Sequence, residues 1–328
     1  MHPKLQRLAL IGAIALLGGC GGGSEVAPVK PSSSTESLNV ATPVQAVDTN
    51  ARQAVMDLYN NEIVRAFAVT PQWTGSISGC NAGDTSTEWK KAVVRTVNSY
   101  RVLAGLPGNV TLNITTSALA QQAALMMEAN GQLNHSPPMN WLCYSGEGAT
   151  AASNSNLALG AIGPQAMRFY MSDRGVSSLG HRRGILYSQL GEVGTGDSNR
   201  ANALWIVGPA TSIPASVSTM GVAWPPRGYV PWTPKVAKPT DEWSFSLPGA
   251  DFHSAGVTMT NDQGQALAVS NVSQRDGFGD NTIGWGLTAN DSSWSRSPKD
   301  TRFHVRVSGV VVGGQVRNFD YDVIFVVP

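Results

Sequence analysis

The spacing of apolar residues predicts helices through the first two thirds of the chain. The strongest pattern follows the capping sequence 85–88 and gives a helix one apolar face. The positions on that face are Trp89, Val93, Val97, Tyr100 and Ala104. Gly105 ends this helix. Further helices are predicted over 116–129 and 164–172, and a weaker pattern covers 51–67.

The later part of the chain shows strand patterns instead. Two short strands, 203–207 and 220–223, follow the helices, and this order favours an α/β sandwich layer over a wound parallel sheet. Beyond residue 241 the apolar residues alternate with a period of two around a Gly313-Gly314 turn. The clearest alternation involves Phe303, Val305, Val307, Phe319, Tyr321, Val323, Phe325 and Val327. Several short strands without helical periodicity predict an all-β sandwich of immunoglobulin-like type over 241–328.

These patterns divide the chain into segments. Residues 51–87 are predicted to form an N-terminal helix and loop, and residues 88–225 the first folded domain. The segment 226–240 is rich in proline, which is typical of an inter-domain linker. Residues 21–50 are rich in Gly, Ser and Pro and predict a flexible tether.

Composition narrows the class of protein. The 328 residues suffice for two domains with real cores, and a hydrophobic content of 42% can fill them. The formal net charge is only +1, and 14% of the residues are charged. Nucleic-acid binding needs a clustered basic face, so no nucleic-acid partner is expected.

The first twenty residues have the layout of an export signal. Lys4 and Arg7 precede a short apolar run, 8–17, and small residues lead into Cys20. This ending resembles the bacterial lipobox, in which the cysteine is lipidated and becomes the mature N-terminus. Because Gly21 follows rather than Asp, we expect Cys20 to anchor the protein in outer-membrane lipid. The alternative is a cleaved signal with an incidental cysteine.

Two cysteines remain, Cys80 and Cys143. An even pair in an exported protein predicts a disulfide, and closing that loop would add roughly 4 kcal/mol of stability. Two free buried thiols are the alternative. No cluster of Cys and His residues in the sequence suggests a structural zinc site.

One stretch carries most of the candidate chemistry. Residues 179–187 read Leu-Gly-His-Arg-Arg-Gly-Ile-Leu-Tyr, and the Gly-rich run 192–196 behind them is interpreted as a turn into a strand. His135 and Glu147 lie upstream, after the second predicted helix. We hypothesise that His135, Glu147 and His181 line one cleft.

The order of these motifs resembles the CAP superfamily, also called the SCP domain, of cysteine-rich secretory, antigen-five and plant pathogenesis-related proteins. The Gly-His-Arg-Arg segment is most similar to the bacterial branch. The resemblance covers roughly 88–225 and implies an α-β-α sandwich with a central antiparallel sheet, hence an α+β chain when the second sandwich is added. It also implies an open cleft lined by two histidines and two acids, where several members bind a divalent metal.

Residues of this chain can be matched one by one to the motif positions of the family. His135 matches the first histidine, Glu147 the first acid and His181 the second histidine. Gly148 stands where the family has Asn after the acid. Asp173 is the nearest carboxylate to the second acid, one residue out of register, and Glu192 competes with it but is expected to pack where a strand begins.

The residue types suit metal binding. Neutral imidazoles of His135 and His181 would hold Zn²⁺ or a similar ion, and the open positions would be those of a catalytic rather than a structural site. A carboxylate that is not a ligand could act as a general base. A nucleophilic serine is not supported, because no Gly-x-Ser-x-Gly turn is present.

Two classes of function fit the sequence. The first is an exported, lipid-anchored binding protein of the cell envelope, whose cleft holds a metal, lipid or glycan ligand. The second is a metal-assisted hydrolase of peptide or peptidoglycan material. Several tryptophans could stack on glycans, although core packing explains most of them better: Trp141, Trp224, Trp232, Trp285 and Trp294.

Overall fold

The computed structural model describes residues 39–288 and 299–328. The export signal with Cys20, most of the predicted tether and Trp294 lie outside the described residues. The α-helices are α1 (Arg52–Leu58), α2 (Thr87–Leu103), α3 (Ile114–Asn130), α4 (Gly146–Ser153), α5 (Gly163–Ser172), α6 (Gly180–Ile185) and α7 (Ala215–Met220). A π-helical turn, Tyr59–Val64, extends α1. The helices predicted from residues 85, 116 and 164 are confirmed.

A five-stranded sheet forms the centre of the first region. Its strands are β1 (Asn39–Ala41), β2 (Thr111–Asn113), β3 (Ser155–Leu159), β4 (Glu192–Asp197) and β5 (Ala201–Trp205), in the spatial order β1-β2-β4-β5-β3. The pair β2 and β4 is parallel, and the other neighbours are antiparallel.

Helices cover both faces of this sheet. Ala201 and Ala203 of β5 pack in one buried cluster with the alanines of α3 and α4. Leu204, one residue further along the strand, points to the other face and packs in the main core with α2 and α5. Since side chains alternate along a strand, β5 serves two cores. The α-β-α sandwich is therefore confirmed.

The Gly-rich run 192–196 is strand β4 itself, so its interpretation as a turn was wrong. The reason is close packing against α3. A Cβ on Gly196 would lie 2.1 Å from the backbone N of Gln121, and one on Gly194 would lie 2.5 Å from the carbonyl C of Thr116. Here glycine permits a helix to lie directly on a strand rather than allowing a turn.

Two further sheets form a β-sandwich. Their strands are β6 (Val222–Trp224), β7 (Gly228–Pro231), β8 (Trp243–Ser246), β9 (Ala250–Asp251), β10 (Gly256–Asn261), β11 (Ala266–Leu267), β12 (Val269–Arg275), β13 (Thr282–Leu287), β14 (Thr301–Val312) and β15 (Gln315–Val326). One sheet has the order β11-β10-β14-β15-β7 with β9 beside β14, and the other has the order β12-β13-β8-β6.

Aromatic side chains fill the space between these sheets. Trp243 of β8 meets Phe303 of β14 at 5.6 Å and Phe325 of β15 at 6.2 Å between ring centroids. Trp285 and Phe245 complete this core and are fully buried. The predicted β-sandwich is thus present, and its immunoglobulin-like type stays a prediction.

The two regions share strands and core. Strand β6, from the end of the segment predicted as the first domain, pairs with β8 of the sandwich. The proline-rich segment 226–240 contributes β7, which pairs in parallel with β15. Its Val236 and Ala237 are buried in the main core. Residues Ser37–Pro328 accordingly form one compact unit.

One covalent bond links two loops of the first region. Cys80 and Cys143 form a disulfide, which ties the loop before α2 to the loop before α4. Across residues 39–288 and 299–328, no helix has the length and apolar character needed to cross a membrane.

Candidate functional site

His181 is held by a buried carboxylate. It is the second residue of α6, and Asp173 ends α5 in the left-handed conformation, with φ 48°. The Nδ1 atom of His181 lies 2.8 Å from Oδ1 of Asp173, whose side chain is fully buried. A carboxylate oxygen accepts, so Nδ1 donates its proton, and in the neutral ring Nε2 is the nitrogen with the lone pair. Oδ2 of Asp173 accepts from the backbone N–H of Arg182 at 3.1 Å.

A neighbouring aromatic ring fixes the plane of the same imidazole. The ring of Tyr170 stacks on His181 at 5.2 Å between centroids, and its hydroxyl donates to Oδ1 of Asn202 at 2.8 Å. Burial raises the pKa of Tyr170 well above its ordinary value, and the charge of Asp197 adds to this. Tyr170 therefore stays neutral and acts as a fixed support.

His135 is held in a matching way from another element. It lies in the loop after α3, and its Nδ1 atom is 2.8 Å from the carbonyl oxygen of Ala152 in α4. Because a carbonyl oxygen can only accept, Nδ1 again carries the proton. The ring nitrogen left available to a ligand is Nε2, as in His181.

Both histidines line one cavity of about 360 Å³. Its walls come from the end of α4, the start of β3, the segment before α6 and the chain after β5. The lining residues are His135, Ser153, Asn154, Ser155, Asn156, Val176, Ser178, Gly180, His181, Ile206, Val207 and Phe278. Apart from the two imidazoles, this lining is neutral and partly apolar.

Ser155 is a cleft residue that the sequence argument missed. It is 4% exposed, and its Oγ atom has no hydrogen-bond partner among the described residues. That hydroxyl has no surface accessible to solvent, so Ser155 lines the cavity through its other atoms. The run of four polar residues 153–156 directly before an apolar strand was a signal that could have identified it.

Two of the predicted acids take different positions. Asp173 reaches the cleft only through His181, to which it is hydrogen-bonded. Glu147 is exposed in the first turn of α4, and it is not among the residues lining the cavity. The positive end of the helix favours a carboxylate there.

Gly148, the residue after Glu147, is buried, and a Cβ there would lie 2.8 Å from the Cε of Met126. Glu192 begins β4 and accepts from Nδ2 of Asn113 at 3.1 Å.

The two arginines after His181 hold α6 in place. Buried Arg182 donates to the carbonyl oxygens of Met171 at 2.7 Å and Ser172 at 3.0 Å, and to Oγ of Ser244 in the sandwich at 3.1 Å. Burial lowers the pKa of Arg182 to about 10, and Asp173 opposes this, so the guanidinium stays charged at neutral pH. Arg183 donates to the carbonyl oxygen of Phe278. These arginines therefore connect the histidine helix to the second region.

The predicted metal ligands are two oriented imidazoles. Two imidazoles, each with Nδ1 bound to an acceptor, have the arrangement that orients metal-binding histidines in proteins. Within the part of the chain that the structure describes, no group of three or more His, Cys, Asp or Glu side chains is placed to hold a metal. An ion in this cleft would thus take two protein ligands and leave its other positions to water or a bound molecule.

Comparison with known families agrees with this architecture. Residues 94–207 match the family described as CAP, the cysteine-rich secretory protein family. This part of the chain is a CAP domain, and it contains His135, Glu147, Asp173 and His181. A comparison with curated proteins found no match. The β-sandwich, including Phe278, lies beyond the matched residues, and membership of the bacterial branch stays a prediction.

Proposed function

We propose that the CAP cleft is a binding site that takes a divalent ion, with Zn²⁺ as the test case, through Nε2 of His135 and His181. The observation that carries this proposal is the pair of Nδ1 hydrogen bonds, at 2.8 Å each, which orient the rings of two histidines that line one cavity. A bound ion would supply open coordination positions for a ligand oxygen. The residues that line the cavity would hold the rest of that ligand.

Binding is favoured over hydrolysis because of where the carboxylates lie. A general base must reach the reacting water directly or through one water molecule. Among the described residues, the cavity lining includes no carboxylate, and Asp173 is occupied by His181 and the N–H of Arg182. The alternative of a metal-assisted hydrolase requires turnover of peptide or peptidoglycan material that a chelator abolishes.

We also propose that the protein is exported and held in the outer membrane through a lipid on Cys20. The sequence of residues 1–21 supports this. The disulfide between Cys80 and Cys143 also supports it, since such bonds persist in oxidising compartments. Mass spectrometry of the mature N-terminus tests it. A lipidated Cys20 is expected, and an unmodified N-terminus elsewhere would rule out the anchor.

Calorimetric titration of Zn²⁺ into the purified protein tests the cleft. We expect binding by the unmodified protein and by His253→Ala, and none by the double variant His135→Ala/His181→Ala. His253 is a suitable control because its Nδ1 atom also contacts a carboxylate, Asp251, at 2.6 Å on the exposed surface. Equal binding by all three proteins would place the ion outside the cleft.

A further inference from the structure

A second cavity lies where the CAP domain meets the β-sandwich, and we call it the junction cavity. Its volume is about 430 Å³, which is within the range of small-molecule sites. One wall is formed by residues of the segment 175–179, before α6. The other wall comes from β12, β13 and Glu242, the residue before β8. The junction cavity adjoins the histidine cleft, since Val176 lines both.

Two glycines keep the sheet surface open beneath the junction cavity. Trp285 of β13 is buried in the sandwich core, so its neighbours Gly284 and Gly286 face away from that core. A Cβ on Gly284 would lie 2.5 Å from Cδ1 of Leu179 in the CAP domain. A Cβ on Gly286 would lie 3.5 Å from Oε2 of Glu242. Larger residues at these positions would therefore occupy the space between the two regions.

Glu242 brings a carboxylate to the junction cavity without a bonding partner. Its side chain is half-buried, and no hydrogen bond or ion pair holds it among residues 39–288 and 299–328. The charge of Arg182 acts on it through space, but that guanidinium donates to two carbonyl oxygens of the CAP domain and to Ser244. A half-buried carboxylate without a partner suits a positively charged ligand group.

Arg275 brings the opposite charge to the same cavity. Its Nε atom donates to the carbonyl oxygen of Ser177 in the CAP wall, and its Nη1 atom donates to the carbonyl oxygen of Gln274 at 2.6 Å. These bonds hold the guanidinium in place and leave Nη2 without an acceptor in the part of the chain that the structure describes. Free N–H groups of a fixed guanidinium suit a carboxylate.

The spacing of the two charges favours an elongated ligand. Glu242 lies beside Gly286, whereas Arg275 pairs with Thr282 in the strand register. Gly286 and Thr282 are four residues apart, about 14 Å along β13. The two charged side chains also come from opposite sides of β13, and no ion pair joins them among the described residues. A ligand that satisfies both therefore needs two opposite charges that are separated along its length.

The remaining lining suits a peptide between those charges. Val272 of β12 is 41% exposed, and Val176 and Leu179 add apolar surface from the CAP wall. Asn271 also lines the cavity, and its side-chain amide can both donate and accept, as a peptide group requires. A simple anion would be repelled by Glu242, and a simple cation by Arg275. An acyl chain would leave the carboxylate of Glu242 without a partner.

We infer that the junction cavity binds a short apolar peptide of two or three residues with free termini. The ammonium group of the peptide pairs with Glu242, and its carboxylate pairs with Arg275. Its apolar side chains contact Val176 and Val272, and a peptide group hydrogen-bonds to Asn271. This site is independent of the ion proposed for the histidine cleft.

The test is calorimetric binding of leucyl-leucine and valyl-alanyl-valine to the full chain in the presence of a chelator. At least one peptide should bind, and its N-acetylated and C-amidated forms should bind about tenfold more weakly, because each lacks one terminal charge. Glu242→Gln should weaken binding of the free peptide about tenfold and leave the affinity for the N-acetylated form unchanged. Glu147→Gln is the matched control, since it alters an exposed carboxylate outside this cavity.

Several outcomes would overturn the inference. Binding of neither peptide would do so, as would equal affinity for the free and the end-blocked forms. The end-blocked peptides test the unmodified protein, so this comparison remains decisive if a variant fails to fold. The double variant His135→Ala/His181→Ala should bind the peptide as the unmodified protein does. Loss of peptide binding in that variant would place the peptide in the histidine cleft instead.

Discussion

Asp173→Asn is a sharp test of how the cleft is oriented, because it removes a charge while keeping the shape of the side chain. The carboxylate accepts two hydrogen bonds, from Nδ1 of His181 at 2.8 Å and from the N–H of Arg182 at 3.1 Å. An amide has only one oxygen. Its NH₂ group must therefore face one of these two nitrogen atoms.

Each arrangement of the amide has a cost. If the NH₂ group faces Arg182, a buried N–H loses its acceptor, at a cost of about 1–3 kcal/mol in unfolding free energy. If it faces His181, Nδ1 must become the acceptor, and the ring proton moves to Nε2, where it blocks metal binding. Loss of such a supporting partner lowers metal affinity by about 10- to 100-fold.

The assay is Zn²⁺ calorimetry together with thermal unfolding of the unmodified protein and two variants. Asp173→Asn should either bind Zn²⁺ more weakly by the factor given above, if the amide NH₂ group faces His181, or lose the stability given above, if it faces Arg182. Asp251→Asn is the matched control, since it alters the corresponding Asp–His contact with His253 on the surface and should leave affinity unchanged. Unchanged affinity together with an unchanged unfolding free energy would refute the role assigned to Asp173, because each arrangement of the amide lowers one or the other.

Three predictions concern stability. Replacing Cys80 and Cys143 by serine should lower the unfolding free energy by about 4 kcal/mol, because the bridge joins cysteines with a sequence separation of 63. Gly196→Ala should cost about 1–3 kcal/mol through contact with α3, whereas Gly146→Ala, with open space around its Cβ, should be nearly neutral. Burial raises the pKa of Asp197 above the ordinary 3.8, so the native state holds this proton more tightly than the unfolded chain. Relative to Asp197→Asn, the unmodified protein should therefore lose stability as pH rises from that value through the raised pKa.

Urea denaturation measures all three effects, the last at a series of pH values. If the variant with serine at both positions were as stable as the disulfide-bonded protein, the disulfide would not stabilise the fold by constraining the unfolded chain. Equal stability of the Gly196 and Gly146 variants would contradict the close approach of β4 to α3. A relative stability that increases with pH would contradict the direction of the shift at Asp197.

The sequence predicted most of the first region because its signals are local. The helical face from Trp89 to Ala104 and the cap at Ser86 are properties of one segment, and the structure has them in α2. His135 and His181 could be paired through the family resemblance, and they do line one cavity. Asp173, selected as the carboxylate nearest the expected register, is in fact bonded to His181.

The features that the sequence did not predict depend on contacts between distant segments. Phe278 lines the cleft from a loop whose backbone and carboxylate bind Arg183 and Ser188, and no periodicity reveals such contacts. The glycines of β4 suggested a turn because the approach of α3 is invisible in one segment. The tryptophans considered for glycan stacking illustrate the same limit: Trp224, Trp232 and Trp285 are buried in the core.

The most direct test of the central claim is a crystal structure with Zn²⁺, with the ion located by its anomalous scattering. The account predicts a peak in the cleft, at bonding distance from Nε2 of His135 and Nε2 of His181, with both Nδ1 hydrogen bonds retained. A peak at a surface pair such as His253 and Asp251, with none between the two cleft histidines, would contradict it.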